Sequence, residues 1–298
     1  MHQPAGSDAL VCAACGRKFS IVAGVPRFVE RLRDDLARRT QASFGYEWTY
    51  FDDWQASGET NFQDYFTGLD LDSLRHASVL DAGCGMGRHA RQLARFVGRL
   101  IAADFSTAID VAAKHTAQLP NVLCIQADLA HLPIADGSLD FVYSFGVVHH
   151  LADTEGAVRA LAAKLRSGGR LRLYLYWSRS GWVGRVLNIV DVARRVTTRL
   201  PFPALRIACR LVSVLLFVFV VAPYKVLVRL GLRIPEGWPL AVYAKYPFRI
   251  LYNDQFDRFS APLEKRYTAQ QARAVAESAG LRDVQVQARF GWLVDGVR

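Results

Sequence analysis

The chain has 298 residues, of which 51% are hydrophobic and 21% charged, the composition of a folded protein and not of a disordered one. Its first residues, MHQPAGSDAL, lack a basic flank followed by an apolar core, so we expect no secretion signal. The five cysteines include a single close pair, which argues against a disulfide framework and favours a reducing, cytoplasmic location.

The net charge of +10 is concentrated in one segment. Between Arg179 and Arg233 lie nine arginines and one lysine against a single acid, Asp191, which gives +9. An excess of this kind suggests a nucleic acid or an anionic membrane as partner. The basic residues are mixed with aliphatic ones and no RNA-binding module is recognisable, so we expect no nucleic-acid partner.

Residues 1–35 form a short module that contains the close cysteine pair. Cys12 and Cys15 are followed by FSIVAGVP at 19–26, a pattern that resembles the second half of a small zinc ribbon. A structural zinc ion takes four ligands, and no first cysteine pair is present; His2 alone does not replace it. We therefore expect a truncated ribbon that keeps its hairpin and holds no metal ion.

Residues 36–76 are rich in aromatic side chains and are predicted to be a helical lead-in. Residues 77–177 then alternate short apolar runs with helical periodicity. This pattern predicts strands at 78–82, 99–104, 122–127, 139–145 and 170–177 and helices at 88–97, 107–118 and 154–165. Strands that alternate with helices imply a parallel sheet covered by helices on both faces.

Residues 178–262 interrupt this pattern, which resumes over 263–298. Thr268 and Gln271 have the spacing of a capping box, and Gly280 is placed to end the helix that they begin. The runs at 284–289 and 292–297 are predicted to be a closing pair of strands.

The strongest motif runs from Val79 to Arg88 and has the sequence VLDAGCGMGR. A strand leads into a glycine-rich turn and then a helix, so the backbone can approach a ligand and the helix N-terminus favours negative charge. The spacing G-x-G-x-G differs from the G-x-G-x-x-G of dinucleotide enzymes, and Asp81 precedes the first glycine by two residues. Acids also end the next two predicted strands: Asp104, placed to accept ribose hydroxyls, and Asp128.

These motifs resemble those of the class I S-adenosylmethionine (SAM)-dependent methyltransferases, in particular the type 11 and ubiquinone–menaquinone-biosynthesis-like kind. The resemblance covers 77–177 closely and 263–298 loosely, and it does not extend to the insertion at 178–262. It implies an α/β fold with a Rossmann-like, seven-stranded, doubly wound sheet, helices on both faces and an antiparallel last strand. It also implies SAM as the cofactor.

The resemblance further implies which residues contact SAM. An acid in the position of Asp128 receives the adenine amine, and the ends of the first and fourth strands, with Asp81 and Ser144, face one crevice. The cofactor-binding candidates are Asp81, Gly83, Cys84, Gly85, Gly87, Asp104, Phe105, Asp128, Leu129, Ser144, Phe145 and, on the lead-in, Tyr46.

The lead-in segment FGYEW, residues 44–48, allows two interpretations. It is a lid that places a ring such as Tyr46 against the sulfonium of SAM, or its rings pack on the sheet. Similar segments in bacterial methyltransferases favour the lid.

His149 and His150 follow the fourth strand, where an acceptor would enter. A hydroxyl acceptor must lose its proton, and a histidine is suited to remove it. The alternative is that both residues only begin the next helix. Asp254 and Asp257, in a polar, turn-like segment, are further candidates for contacts with the acceptor.

The insertion contains an apolar run at 211–222 in which only Ser213 is polar. Because a bilayer span needs about 20 apolar residues, we do not expect a transmembrane helix. Burial in a cap or dimer contact and membrane-surface contact through 205–233 stay open, as does the oligomeric state.

The sequence thus predicts a SAM-dependent methyltransferase acting on a small-molecule acceptor, hydrophobic or lipid-linked if the insertion serves it. A non-catalytic SAM-binding protein whose insertion is an interaction arm is the alternative.

Overall fold

The computed structural model describes residues 3, 7–29, 34–52, 58–235 and 238–298. These residues form two compact units. The sheet unit comprises Met1–Asp52, Gly58–Ser178 and Leu263–Arg298, and the insertion unit comprises Arg179–Pro262.

The sheet unit contains six α-helices and ten strands within its described residues. They follow the chain as β1 (Ala9–Val11), β2 (Lys18–Val22), β3 (Val25–Pro26), α1 (Asp35–Tyr50), α2 (Gly58–Tyr65), β4 (Ser78–Ala82), α3 (Arg88–Leu93), β5 (Arg99–Asp104), α4 (Ile109–Thr116), β6 (Val122–Gln126), β7 (Leu139–Phe145), α5 (Thr154–Lys164) and β8 (Leu165–Leu175). After the insertion unit come α10 (Ala269–Ser278), β9 (Arg282–Ala288) and β10 (Trp292–Val297).

The predicted seven-stranded α/β sheet is confirmed. Its strand order is β6-β5-β4-β7-β8-β10-β9, and all neighbours are parallel except β10, which is antiparallel to both β8 and β9. Alternate residues of β4 enter two separate cores. Leu80 joins the core formed with α5 and α10, while Val79 joins the core formed with α2, α3 and α4, so helices cover both faces.

The fifth strand begins earlier than its apolar pattern indicates. We expect a strand at 170–177, whereas β8 spans Leu165–Leu175. Its first residues, RSGG after Leu165, are polar or small, and Gly168 has a φ of +76°. The pairing with β7 shifts register there, between Leu139 and Phe141. An irregular start of this kind carries no periodic apolar signal.

The N-terminal module is a three-stranded antiparallel sheet, β1-β2-β3, attached to the edge strand β6. Arg27 forms a β-bridge with Gln126, and the Phe28 amide donates to the Gln126 carbonyl at 2.7 Å. Cys12 and Cys15 lie in the turn between β1 and β2. In the described part of the chain no three His, Cys, Asp or Glu side chains cluster as metal ligands, and His2 lies outside that part.

The insertion unit consists of α6 (Gly181–Thr197), α7 (Phe202–Leu216), a π-helical turn (Phe217–Val221), α8 (Ala222–Arg229) and α9 (Phe248–Ser260). The segments from α7 to α8 form one continuous helix, Phe202–Arg229, which is long and apolar enough to cross a membrane. This exceeds our expectation from the run at 211–222, because apolar residues continue on both sides of it between isolated basic ones.

The polar segment that carries Asp254 and Asp257 is a helix and not the predicted turn-like loop. It forms most of α9, whose side chains at helical spacing, among them Tyr252 and Phe256, are buried. The Tyr252 hydroxyl donates to the Arg206 carbonyl of α7 at 3.0 Å. Asp254 accepts a hydrogen bond from the Tyr243 hydroxyl at 2.6 Å, within the insertion unit. Packing against α6 and α7 therefore overrides the polar composition.

The pairing of β8 with β10 contains a buried ion pair. Arg172 donates to the two carboxylate oxygens of Asp295 at 2.8 and 2.9 Å, and its Nη1 donates to the carbonyls of Tyr65 and Thr67. Arg172 is 2% exposed. Because the buried guanidinium is not solvated by water, its charge is stabilised mainly by the Asp295 carboxylate.

Replacing Asp295 with alanine leaves that charge unpaired, so we expect the Asp295→Ala variant to lose about 3–5 kcal/mol of unfolding free energy in urea titrations. The control is Asp136→Ala, which removes an exposed pair with Lys164 (2.7 Å) and should have a much smaller effect. Equal losses in the two variants would contradict a structural role for the buried pair.

Candidate active site

The glycine-rich turn lies at the carboxyl end of β4 and has a backbone that only glycine adopts easily. Gly83, Gly85 and Gly87 have φ values of +83°, +53° and +78°. A Cβ on Gly83 would collide with the Val147 side chain, and one on Gly85 would lie 3.2 Å from the Trp48 indole nitrogen. The turn is thus enclosed on two sides by side chains, and its amides remain close to any ligand in the crevice.

Asp104, at the end of β5, holds this turn in place. Its Oδ2 accepts from the Gly85 amide at 2.8 Å, and its Oδ1 accepts from the amide and hydroxyl of Ser106 at 2.7 and 2.6 Å. Burial raises the pKa of Asp104 in spite of these hydrogen bonds. Three of the roughly four acceptor positions of the carboxylate are used. One position is left for a ligand hydroxyl, and a second opens if the Ser106 hydroxyl rotates.

Asp81 lies beside Tyr143 in the register of β4 with β7 and is buried. Its Oδ2 has no hydrogen-bond partner among the described residues. Burial raises the pKa of Asp81 to about 7, and the nearby Asp104 carboxylate adds to the shift, while Tyr143 and Arg88 oppose it. A buried carboxylate with one oxygen that lacks a partner favours a cation beside it.

Asp128 follows β6 and begins a 3-10 turn over Leu129–His131. Its Oδ1 accepts from the Ala130 amide at 3.0 Å, and its Oδ2 lies 2.8 Å from His131 Nδ1. The side chain is half-exposed, whereas Leu129 is buried. His131 is a neighbour that the sequence reasoning missed, although its position three residues after Asp128 is the spacing of side chains on one face of a turn.

The side chains of Ser144, Phe145 and Cys84 serve the packing of the strand ends. The Ser144 hydroxyl donates to the Ala82 carbonyl at 2.8 Å, which ties β7 to β4. Phe145 packs against Tyr65 at 4.9 Å between ring centroids. Cys84 is buried, and burial raises the pKa of its thiol well above the usual value.

Helix α1 follows the carboxyl ends of the strands. Near β5, Gln41 Nε2 donates to the Phe105 carbonyl at 2.8 Å. Near β4, Trp48 lies against Gly85, and the Arg88 guanidinium lies 5.2 Å from the centre of the indole. Beyond β7, Phe44 contacts the His150 ring at 5.0 Å. A single helix therefore contacts all three strand ends.

Within α1, the Trp48 ring lies against Gly85 and the Phe44 ring against His150. Tyr46, the ring named in the sequence prediction, stacks on Tyr50 with centroids 6.3 Å apart and planes 5° from parallel. The pattern of aromatic residues indicates a helix with many rings, but it does not say which ring faces the glycine turn.

His150 has a defined tautomer. Its Nδ1 lies 2.6 Å from the Leu263 carbonyl oxygen, which can only accept, so Nδ1 carries the proton. In the neutral ring Nε2 is then the acceptor, and it has no partner in the described chain. Because Phe44 of α1 packs on the same ring, His150 lies at the end of the crevice that α1 covers.

His149 is fully buried and stacks on the rings of Tyr176 and His150, at 4.1 and 4.3 Å. Burial holds the pKa of His149 well below its usual value, and the Arg266 charge lowers it further. Both histidines lie in a 3-10 turn before α5, not in the helix itself. Tyr176 and the segment that starts at Leu263 are parts of this cluster that the motifs did not indicate.

Comparison with known proteins agrees with this geometry. Residues 80–173 match the family model of a methyltransferase domain. A probable S-adenosylmethionine-dependent methyltransferase of Mycobacterium tuberculosis is 40% identical over 94 residues, which cover 31% of this chain and 33% of that protein. The sterol 24-C-methyltransferase of Schizosaccharomyces pombe is 29% identical over 102 residues, which cover 32% of this chain and 27% of that protein.

Among solved structures, human N-acetylserotonin methyltransferase in complex with SAM superposes with a TM-score of 0.52 at 14% identity, over 90% of this chain and 60% of that one. At that identity the likeness shows the fold alone. The chain spans about a third of the length of the two curated relatives. The range that the family model matches contains the glycine turn and the three acids. The similarity to methyltransferases thus rests on residues 80–173, which match a methyltransferase domain.

Proposed function

We propose that the chain transfers a methyl group from SAM to a small acceptor that is hydrophobic or lipid-linked. The observation that supports it most is the convergence of Asp81, Asp104 and Asp128 at the carboxyl ends of three adjacent parallel strands, beside the glycine turn. In a doubly wound sheet the ligand crevice lies at this edge, where the strand order reverses between β4 and β7.

The residues present fit SAM. The buried Asp81 Oδ2 lacks a partner. The sulfonium and ammonium groups of SAM are cations that would favour the ionised form of the Asp81 carboxyl group. Asp104 would bind the ribose through its remaining acceptor position, and Asp128 would accept from the adenine amine. A Cβ on Gly83 or Gly85 would fill the cradle between the turn and its neighbours. When bound, SAM supplies an activated methyl group on sulfur.

His150 is the residue of the pair that we propose as general base. The Leu263 carbonyl holds the proton on Nδ1, so Nε2 presents its lone pair without any rearrangement. The His149 ring packs against the His150 ring, and burial keeps His149 itself neutral by lowering its pKa. The chain thus holds the acceptor, removes its proton at Nε2 and excludes water, while alignment of the acceptor with the methyl group lowers the barrier.

A hydrophobic acceptor is supported by the rings around that nitrogen. Phe44 and Tyr176 flank the two histidines with centroid distances of 4.1 to 6.0 Å. Aromatic walls recognise apolar or aromatic molecules and supply few polar contacts. The relative that acts on a sterol has a lipid as substrate, which agrees with this acceptor class.

The alternative is a protein that binds SAM without catalysis. For such a protein we expect tight SAM binding and no transfer of the methyl group from SAM to any molecule of a cell extract. The fixed tautomer of His150 favours catalysis, because it leaves the Nε2 lone pair of the neutral ring available to take a proton from an acceptor.

The first prediction concerns cofactor binding by calorimetric titration with SAM, S-adenosylhomocysteine and NAD. We expect the first two to bind and NAD to fail, and Asp104→Ala and Asp128→Ala to weaken SAM binding by about tenfold or more, since each loses a charge-assisted hydrogen bond. The control is Asp136→Ala. Asp136 precedes β7 and so lies at the amino ends of the strands, away from the proposed SAM site, and this variant should bind SAM like the wild type. Binding of NAD without SAM would refute the proposal.

The second prediction is that SAM binding releases a proton from Asp81. Because the pKa of Asp81 is about 7 and a bound cation favours the ionised form, SAM binding should release a proton below that pH. Affinity should rise about fivefold from pH 6 to pH 7, below the range in which the ligand's own amino group titrates. Calorimetry in buffers of different ionisation enthalpy measures the release. Asp81→Asn should abolish both effects, and an unchanged pH slope in that variant would exclude Asp81 as the source.

The third prediction tests the base. With methyl-labelled SAM, we expect label to transfer from the cofactor into the organic-solvent fraction of a lipid extract and not into the aqueous fraction. His150→Ala should lower this rate by about 100-fold, with SAM affinity changed less than about threefold. His149→Phe, which keeps a ring in the stack, should retain most activity. A loss of less than about tenfold in His150→Ala would show that His150 is not the base.

A further inference from the structure

The insertion unit exposes large apolar side chains that a soluble surface normally buries. Among the described residues, all the large exposed apolar side chains lie in this unit except Val22, Phe96 and Leu123. Only 11% of the most apolar stretch of the helix Phe202–Arg229 is buried. Contiguous exposed apolar surface marks a site that another body covers.

The polarity of this helix is inverted relative to a soluble amphipathic helix. Its inner side is a narrow row of Leu205, Cys209 and Ser213, which are 1%, 2% and 0% exposed. Its outer side is the row Leu211, Leu215 and Phe219, which are 63%, 58% and 73% exposed. The single polar residue of the apolar run therefore faces the protein, while the apolar residues face outward.

Helix α6 shows the same inversion. Arg194 is buried and donates from Nε to the Arg258 carbonyl at 3.0 Å. Val186, Ile189, Val192 and Val196 recur at helical spacing and are exposed. We call the exposed rows of α6 and of the helix Phe202–Arg229 the outer rows; they are Val186, Ile189, Val192, Val196, Leu211, Leu215, Phe219, Val226 and Val228.

Exposed basic residues accompany the outer rows. The helix Phe202–Arg229 is basic toward both ends and free of charge from 211 to 224. The exposed arginines from 179 to 233 are Arg179, Arg185, Arg195, Arg199, Arg210, Arg229 and Arg233. Apolar side chains bordered by arginines are complementary to a lipid surface, in which acyl chains lie beneath a layer of phosphate groups.

We propose that the outer rows bind the surface of an anionic lipid bilayer. The helix Phe202–Arg229 lies in the plane of the membrane, its outer row enters the acyl boundary, and the flanking arginines contact lipid phosphates. This inference is independent of the cofactor site, since none of these residues belongs to the proposed SAM or base positions.

The chain connectivity excludes a single crossing of the bilayer by this helix. Strand β8 precedes the helix and β10 follows it, yet the two pair along their whole length, from Leu175 with Trp292 to Arg170 with Val297. A single span would separate them by the membrane. Although the whole helix is long enough to cross, its charge-free stretch of 14 residues, 211–224, is only about 21 Å long, against about 30 Å of hydrocarbon, so a span would also bury Arg210 or Lys225.

A second copy of the chain is a poorer occupant. Two outer rows in contact would bring together two segments that each carry +9, without acids to compensate. Anionic lipids supply the opposite charge together with an apolar interior. Charge complementarity therefore selects the bilayer.

The test is flotation of the purified full-length protein with vesicles. We expect binding to vesicles of equal parts phosphatidylglycerol and phosphatidylcholine, much weaker binding to phosphatidylcholine alone, and weakening by high salt, which screens the arginines. Leu215→Ser with Phe219→Ser should lower the partition coefficient by about tenfold or more, since two large side chains no longer enter the acyl region. Leu123→Ser, an exposed apolar residue of the sheet unit, is the matched control and should bind like the wild type.

Calorimetric SAM binding and thermal unfolding of each variant report folding, so a failed cofactor site and a failed membrane site give different results. Absence of flotation with anionic vesicles would overturn the proposal, and so would equal flotation of the double variant and the wild type. A wild-type dimer in light scattering that the double variant loses, without flotation, would identify a second copy as the occupant. Resistance of bound protein to alkaline carbonate extraction would indicate a span and would also overturn it.

Discussion

The pairing of β8 with β10 is the constraint on which the rest of the molecule depends. The insertion leaves the sheet unit at Ser178 and returns at Leu263, and both ends are fixed because these strands pair from Leu175–Trp292 to Arg170–Val297 around the buried Arg172–Asp295 ion pair. The returning chain is held beside the histidine turn: the Lys265 amide donates to the His149 carbonyl at 2.9 Å, and Leu263 accepts from His150. The same pairing that closes the sheet thus orients the proposed base and limits how the inserted helix can meet a membrane.

The other organising feature is buried negative charge beside the glycine turn. Asp81 and Asp104 raise each other's cost of ionisation, and burial raises it further, so the free protein keeps a proton at Asp81 close to neutral pH. A cation from the ligand removes that cost. The folded protein without ligand therefore loses stability as the pH rises toward the pKa of Asp81. A bound cation restores that stability, as expected of a preformed cation site. Trp48 and Arg88 close the turn from the side of α1.

The sequence predicts the regular part of the fold well. The strands at 78–82, 99–104 and 139–145 agree with the parallel strands β4, β5 and β7 residue for residue, because buried parallel strands are continuous apolar runs and the turns after them carry glycine or acids. The antiparallel β10 also agrees with the prediction at 292–297. Elements set by tertiary packing escaped prediction. The start of β8 is polar, and α9 contains the polar residues Asn253, Asp254, Gln255 and Asp257 yet packs against α6 and α7. The site acids follow from motif position, whereas the choice between His149 and His150 depends on the Leu263 carbonyl, 113 residues away.

The inserted helix shows why composition alone misjudges a membrane contact. Counting the uninterrupted run at 211–222 gives too few residues for a span, and a hydrophobic run of that length is usually core. What distinguishes it is which side of the helix is apolar, and that requires the position of α9, against which Leu205, Cys209 and Ser213 pack. If the outer rows hold the protein at a bilayer, an acceptor dissolved in that bilayer meets the enzyme at high local concentration. The active site then needs little affinity of its own for the acceptor, which agrees with a cluster made of rings and one free nitrogen.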